Sequence, residues 1–327
     1  MNKPSLLSLG VLILGLAAIF FFVAGYLFIP AVDLGRIDAP ESLKNMGSPQ
    51  KTEHFMLIAH EYTNPYWARV RQGAEDAAKE LGITIEYVGP KEANLQELVE
   101  FMEMAIAAKA DGIITYVLND KSLQPYINKA MDKGIPVITV DTDAPGSKRV
   151  AYVGTNNYRS GLVAGEVLAK ATGGYAKVGI ISGDLQASNQ ILRVEGIKEV
   201  LRKYPGMEIM TIESSHITRM GAAQKTQAML KKYPEIKAIV GTSALDAIGI
   251  AQAVAEQNRS GQVIIVGYDD LPETLEMIKA GTVYATIVQK PYQMGYLAVK
   301  MMHEVKQGKR VSSVVYTGVE VVTKKQE

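Results

Sequence analysis

From Glu53 onward, short apolar runs alternate with amphipathic stretches, and this alternation narrows the possible folds more than any other feature of the chain. FMLIAH (residues 55–60), ITIEYV, GIITYV and PVITVD (136–141) have the length and composition of strands. KVGIIS, EIMTIE, AIVGT and VIIVGYD repeat the theme further on. Between them the apolar residues recur at helical spacing: Trp67, Val70, Ala74, Ala77, Ala78 and Leu81 in one segment, Leu95, Leu98, Val99, Met102, Ala105 and Ile106 in the next. Strands that alternate with helices pair in parallel and are covered on both faces. There are too many such units for one small sheet, and the plan repeats, since DGIITY followed by PVITVD parallels KAIVGT followed by VIIVGYD. Each half therefore reads as a doubly wound α/β lobe, with YVGTNNYRSG (152–161) as a candidate crossing segment and QKPYQMGYLAVKMMHEV as an added helix.

Local signals sharpen the elements. Asn64 is a good helix N-cap, Pro65 suits the first helical position, and Gly82 ends that helix. Ser122 is expected to cap a helix that stops at Lys133-Gly134. The pairs Met102/Met104 and Met301/Met302 read as core filler.

Ahead of this pattern, residues 6–29 are almost continuously apolar and uncharged, long enough for a membrane-spanning helix. Lys3 precedes them and Asp33, Asp38 and Glu41 follow, which sets the N-terminus inside and the rest outside. Two readings stand: an uncleaved single-pass anchor in the cell membrane, or a signal removed near Val23-Ala24-Gly25 that leaves a secreted or periplasmic protein. Either way the folded part works outside the cytoplasmic membrane. Residues 30–52, with Pro, Gly, Ser and scattered charge, form a linker.

Composition removes several classes of function. The chain has no cysteine, which excludes disulfides, thiolate metal sites, a cysteine nucleophile and a lipidated N-terminal cysteine. A formal net charge of +1 gives no electrostatic case for nucleic acid. His54, His60, His216 and His303 lack metal-ligand spacing and read as structural or solvated, and no phosphate-cradling loop is present. The pairs Asp141/Asp143 and Asp269/Asp270 resemble a carboxylate pair for glycoside cleavage only as well as they resemble turn and cap residues. No catalytic residue, metal or cofactor is assigned, and the chain is read as a non-enzyme.

What remains is a set of polar and aromatic residues at strand ends. Asn64 and Tyr66 follow FMLIAH, Asp141 ends PVITVD, Ser243 follows AIVGT, Asp269 ends VIIVGYD and Gln289 ends YATIVQ. In open α/β sheets, ligands bind at the carboxyl ends of strands. Carboxylates and amides bond hydroxyls, and aromatic faces suit the C–H face of a pyranose, so the set points to a hydroxyl-rich ligand held between two lobes. Trp67, the chain's only tryptophan, reads either as the start of a core stripe or as a wall of that site.

At this point the chain resembles the type I periplasmic binding proteins, in particular the ribose-binding-like sugar group. NPYWARVRQGAEDAAKELG, GIPVITVDTDAPG, YVGTNNYRSGLVAGE, RVEGIKEVL, VIIVGYDD and ATIVQKPYQMGY carry the likeness across residues 53–327. The resemblance implies two α/β lobes joined by a three-segment hinge, preceded here by the transmembrane helix. It implies a first lobe of residues 53–155 and 290–318 and a second of 156–289 and 319–327, after an anchor or signal over 1–30 and a linker over 31–52. It also implies that Asn64, Tyr66, Trp67, Asp141, Asp269 and Gln289 contact sugar. The chain departs from the ribose pattern where Thr142 follows the first acid in place of arginine, where Ile191 aligns with the second-lobe arginine while Arg193 sits two residues later, and where Ser243 replaces asparagine. Asn189 or Gln190 stands to compensate. Thr142, Asn189, Arg193 and Ser243 therefore complete the expected ligand set. The function implied is monosaccharide capture of the ribose/xylose class for an ABC transporter permease, or, as the alternative, membrane-anchored sensing for a sensor histidine kinase. A DNA-binding repressor of related fold would need a helix-turn-helix where this chain has its apolar span.

Overall fold

The structure, a computed structural model, describes residues 52–324. The expected membrane span at residues 6–29 and most of the linker lie outside them. Among the described residues, no helix is long and apolar enough to cross a membrane.

The alternation read in the sequence is the architecture. The first sheet contains β1 (His54–Ile58), β2 (Thr84–Val88), β3 (Gly112–Thr115), β4 (Val137–Val140), β5 (Ala151–Gly154) and β11 (Val314–Tyr316), in the order β11-β5-β4-β3-β1-β2. The second contains β6 (Tyr175–Ser182), β7 (Gly206–Ser214), β8 (Ile236–Gly241), β9 (Ile264–Tyr268), β10 (Ala285–Val288) and β12 (Glu320–Thr323), in the order β12-β10-β9-β8-β6-β7. All pairings are parallel except β12 on β10. The strand order reverses beside β1 in one sheet and beside β6 in the other, so both lobes have a switch point on the same plan.

The helices are α1 (Pro65–Leu81), α2 (Leu95–Ala107), α3 (Asp120–Asp132), α4 (Asn157–Ala171), α5 (Ser188–Leu201), α6 (Arg219–Lys232), α7 (Asp246–Glu256), α8 (Pro272–Ala280) and α9 (Pro291–Lys306). The chain passes between the sheets three times: from β5 into α4, from β10 into α9, and from β11 into β12. Met294, Ala298, Val299 and Met302 of α9 join Phe55, Ile113 and Val137 in the first-lobe core. On one side of the second sheet lie Leu168, Ile197 and Leu201; on the other, Leu230, Ile250, Val254 and Ile278. Central strands such as β3, β4 and β10 are buried at every residue, as expected of a parallel sheet covered on both faces.

Two local expectations change. Asn119, not Ser122, caps α3, because its extended backbone lets the side chain accept from both Lys121 N and Ser122 N. Met104 is 43% exposed, so of the methionine pairs Met102, Met301 and Met302 fill core while Met104 faces outward from α2.

Candidate functional site

The first turn of α1 is set by Asn64. Its Oδ1 accepts from Tyr66 N at 3.0 Å, and its Nδ2 donates to Glu61 Oε2 at 2.9 Å. This cap turns Tyr66 and Trp67 inward, and both are buried. The Tyr66 hydroxyl donates to Asp141 Oδ1 at 2.6 Å. Trp67 meets Tyr116 edge-on, with ring centroids 5.6 Å apart, and Tyr116 lies 4.5 Å from the His60 ring. Such an aromatic wall excludes water from one side of a ligand.

The two acids are delivered in the same way from opposite lobes. Asp141 follows β4 with φ 67° and Asp269 follows β9 with φ 66°, both in the left-handed region. Asp141 N donates to Val153 O at 3.1 Å, and Asp269 N donates to Ile287 O at 2.9 Å, so each is held by the neighbouring strand. Left-handed backbone outside glycine is uncommon and clusters at functional sites. Asp141 Oδ2 accepts from Asn189 Nδ2 at 3.0 Å, a direct bond across the cleft from α5. Asp269 accepts from Gln289 Nε2 at 3.1 and 3.3 Å.

Arg193 is the centre of the second-lobe wall. Its Nε donates to Asn157 Oδ1 at 2.9 Å, Nη1 to Thr242 O at 2.7 Å and Nη2 to Gln289 Oε1 at 2.6 Å. The guanidinium lies over the Tyr268 ring, 4.6 Å from its centroid. Gln289 Oε1 also accepts from Thr155 Oγ1 at 2.9 Å, tying two crossing segments to the arginine. Behind the wall, Asp246 accepts from Ser215 Oγ, Thr242 N and Ser243 N and so fixes the loop that carries Ser243.

The electrostatics follow from burial. Loss of water pushes Asp269 up to about 7 against the pull of Arg193, and pushes Asp141 upward against Arg193 and its hydroxyl and amide donors. Burial likewise raises Asp246 to about 6 and lowers His60 to about 4. Two dehydrated carboxylates and a single guanidinium face the cleft, an arrangement that favours donors from a ligand.

One cavity is lined by Asn64, Tyr66, Trp67, Asp141, Asn189, Arg193, Ser243, Asp269 and Gln289. These are all the expected ligand residues except Thr142. Thr142 is buried beside the cavity, with its hydroxyl donated to Asp141 Oδ2 at 3.2 Å. Arg193 faces the cavity while Ile191 is 45% exposed, which gives the guanidinium position to Arg193. Asp143 pairs with Arg149 through both oxygens, and Asp270 is exposed, so neither forms a carboxylate pair with its neighbour acid.

His60, Tyr116, Gln190, Ile217 and Ala244 also line the cavity. Gln190, an alternative at the helix mouth in the sequence, accepts from Thr242 Oγ1 at 2.6 Å. His60 carries the same signal that found the acids, closing the apolar run FMLIAH, whereas Tyr116 falls inside the run GIITYV. Ile217, in the turn between β7 and α6 with φ 55°, has no signal in the sequence.

The chain is 50% identical to GanP, a glucose-galactose binding protein from Geobacillus stearothermophilus, over 84% of this chain and 98% of that one, with a TM-score of 0.82. It is 40% identical to a chain of a XylFII-LytSN complex, over 84% and 98% of the two chains, with a TM-score of 0.80. It is 27% identical over 266 residues to the D-allose-binding periplasmic protein of Escherichia coli (strain K12), covering 79% of this chain and 86% of the relative. The relatives are binding proteins rather than enzymes. Residues 55–310 match the model described as the periplasmic binding protein domain, and the chain, with its paired lobes and shared cleft, belongs to that family.

Proposed function

We propose that this chain is an extracytoplasmic monosaccharide receptor that holds its sugar between the two lobes and delivers it to an ABC transporter permease. The observation that carries the reading is the single cavity that joins an aromatic wall, two buried carboxylates and a buried guanidinium from both lobes. Carboxylates bond pairs of hydroxyls, amides donate and accept, and Trp67 offers a face to sugar C–H groups. A ligand that touches both lobes stabilises the state in which they meet by its differential affinity for that state. GanP, a glucose-galactose binder, and the D-allose binder support the sugar class. Thermal melting with D-glucose, D-galactose, D-xylose and D-allose tests it, because a ligand that binds the native state raises the apparent melting temperature. A flat response to all of them, repeated by calorimetry, would sink the sugar assignment.

A second reading has its own support. The apolar stretch at residues 6–29 and the 40% likeness to a chain solved in a XylFII-LytSN complex favour a membrane-anchored sensor whose partner, a sensor histidine kinase, reads the arrangement of the lobes. Cell fractionation separates the two. Retention with membranes, intact N-terminus included, supports the sensor; release by osmotic shock with the residues before about Tyr26 removed rejects the anchor.

A further inference from the structure

We infer that His60 is a specificity-determining ligand contact whose Nε2 accepts a hydroxyl of the bound molecule. This inference rests on the sugar reading above. Most polar atoms of the cavity already have protein partners. Tyr66 and Asn189 bond Asp141, Gln289 bonds Asp269, and all three nitrogens of Arg193 are engaged. One buried cavity atom differs: His60 Nε2 has no partner among the described residues. The other such atoms, on Thr226 and Thr274, belong to α6 and α8 and do not line the cavity. His60 is 3% exposed. A buried polar atom without a partner is unfavourable, and native structures retain few of them. His60 Nε2 sits on the wall of the cleft, where a ligand would satisfy it.

The chemistry at His60 selects one kind of group. Burial keeps the imidazole neutral at ordinary pH, so one nitrogen donates and the other accepts. Nδ1 lies 3.9 Å from Glu61 Oε1, and that carboxylate favours the proton on Nδ1. Nε2 is then an acceptor and calls for a hydroxyl donor. The ring is braced by Tyr116, which also stands edge-on to Trp67. The hydroxyl that meets Nε2 therefore projects from the rim of a sugar ring seated on the aromatic wall.

Calorimetry on the full-length chain in detergent tests this with D-glucose, D-galactose and their 2-, 3-, 4- and 6-deoxy analogues. In the unmodified chain, the analogue lacking the hydroxyl at His60 should bind about ten- to a hundred-fold more weakly than its parent. In His60→Ala, parent and that analogue should bind equally, while the ratios for the other deoxy positions stay as they were. His60→Leu, which keeps more of the volume but offers no acceptor, repeats the measurement if the alanine variant melts early. Unchanged ratios at every position in a folded variant overturn the inference and leave the sugar assignment standing. No binding of any monosaccharide by the unmodified chain overturns both.

Discussion

Asp141 and Asp269 hold the same place in two lobes of unrelated local sequence: end of strand, left-handed φ, N–H donated to the next strand. Asparagine tolerates that conformation and keeps the shape, so Asp141→Asn and Asp269→Asn isolate the charge. Each variant should fold and bind sugar about ten- to a hundred-fold more weakly, because hydroxyl bonds to a charged acceptor are the stronger ones. Calorimetric affinity equal to the parent's would remove that acid from the site. Trp67 should report the same event, since its ring lines the cavity beside Tyr116; a sugar shown to bind by calorimetry should shift or quench its fluorescence, and a silent titration would return Trp67 to the core. These residues were legible because a polar or aromatic letter after an apolar run marks the mouth of a parallel sheet. His60 carried that mark too, but a lone histidine without a spaced partner read as structural, and Tyr116 passed as part of its strand. Thr142 lies off the cavity wall for a local reason. With Asp141 in a left-handed turn, the backbone folds back, Thr142 N bonds Val140 O at 2.7 Å, and the hydroxyl donates to Asp141 Oδ2.

Helices reach this site through glycine contacts that no periodicity reveals. A Cβ on Gly73 of α1 would stand 2.0 Å from Tyr292 O of α9, and one on Gly295 of α9 would stand 1.9 Å from Val70 O of α1. The second lobe repeats the device: Gly161 of α4 against Arg193 O at 2.1 Å, and Gly196 of α5 against Tyr158 O at 2.3 Å. Each pair lets two backbones approach to contact distance. The α4–α5 pair closes on the residue that carries the guanidinium, so packing and binding are coupled there. Gly161→Ala should destabilise the protein by about 1–3 kcal/mol, the usual cost of overpacking, and should also weaken sugar binding by moving Arg193 off its bonds to Asn157, Thr242 and Gln289. Denaturant unfolding and calorimetry together check this; a variant less stable but equal in affinity would show that α5 yields without shifting Arg193. At this scale the sequence revealed which segments are strands and helices, because burial on both faces writes long apolar runs. It did not reveal the helix contacts, or that Asn119 rather than Ser122 starts α3, since both residues cap well and only the backbone decides between them. Nor does the chain announce that β12 runs antiparallel to β10, a pairing fixed by where the last crossing ends.

Across the whole molecule, the buried acids make stability depend on pH in a direction that separates the empty protein from the loaded one. Asp269 is held up to about 7 and Asp246 to about 6, in each case chiefly by burial, and Asp141 is raised for the same reason. A folded-state value above the unfolded one means the native protein binds the extra proton. The resulting stability is fully present below the unfolded carboxylate range and is lost as pH rises through 6 to 7. For Asp269 alone the loss is on the order of a few kcal/mol. His60 works in the opposite sense: lowered to about 4, its contribution is present above its ordinary value of 6.5 and disappears as pH falls through 4. The ligand-free protein should therefore melt higher near pH 5.5 than at pH 8, and lose stability again in stronger acid. Sugar hydroxyls donated to Asp269 and Asp141 favour the ionised carboxylates, so the rise in melting temperature on adding a bound sugar should be larger at pH 8 than at pH 5.5. Asp269→Asn should shrink both effects, leaving the share that belongs to Asp246 and Asp141. Melting curves at the two pH values, with and without D-glucose or whichever monosaccharide binds, are sufficient. An empty protein that is more stable at pH 8, or an asparagine variant with the full slope, would mean that Asp269 is hydrated in the native protein and that the lobes do not close over it in the absence of ligand.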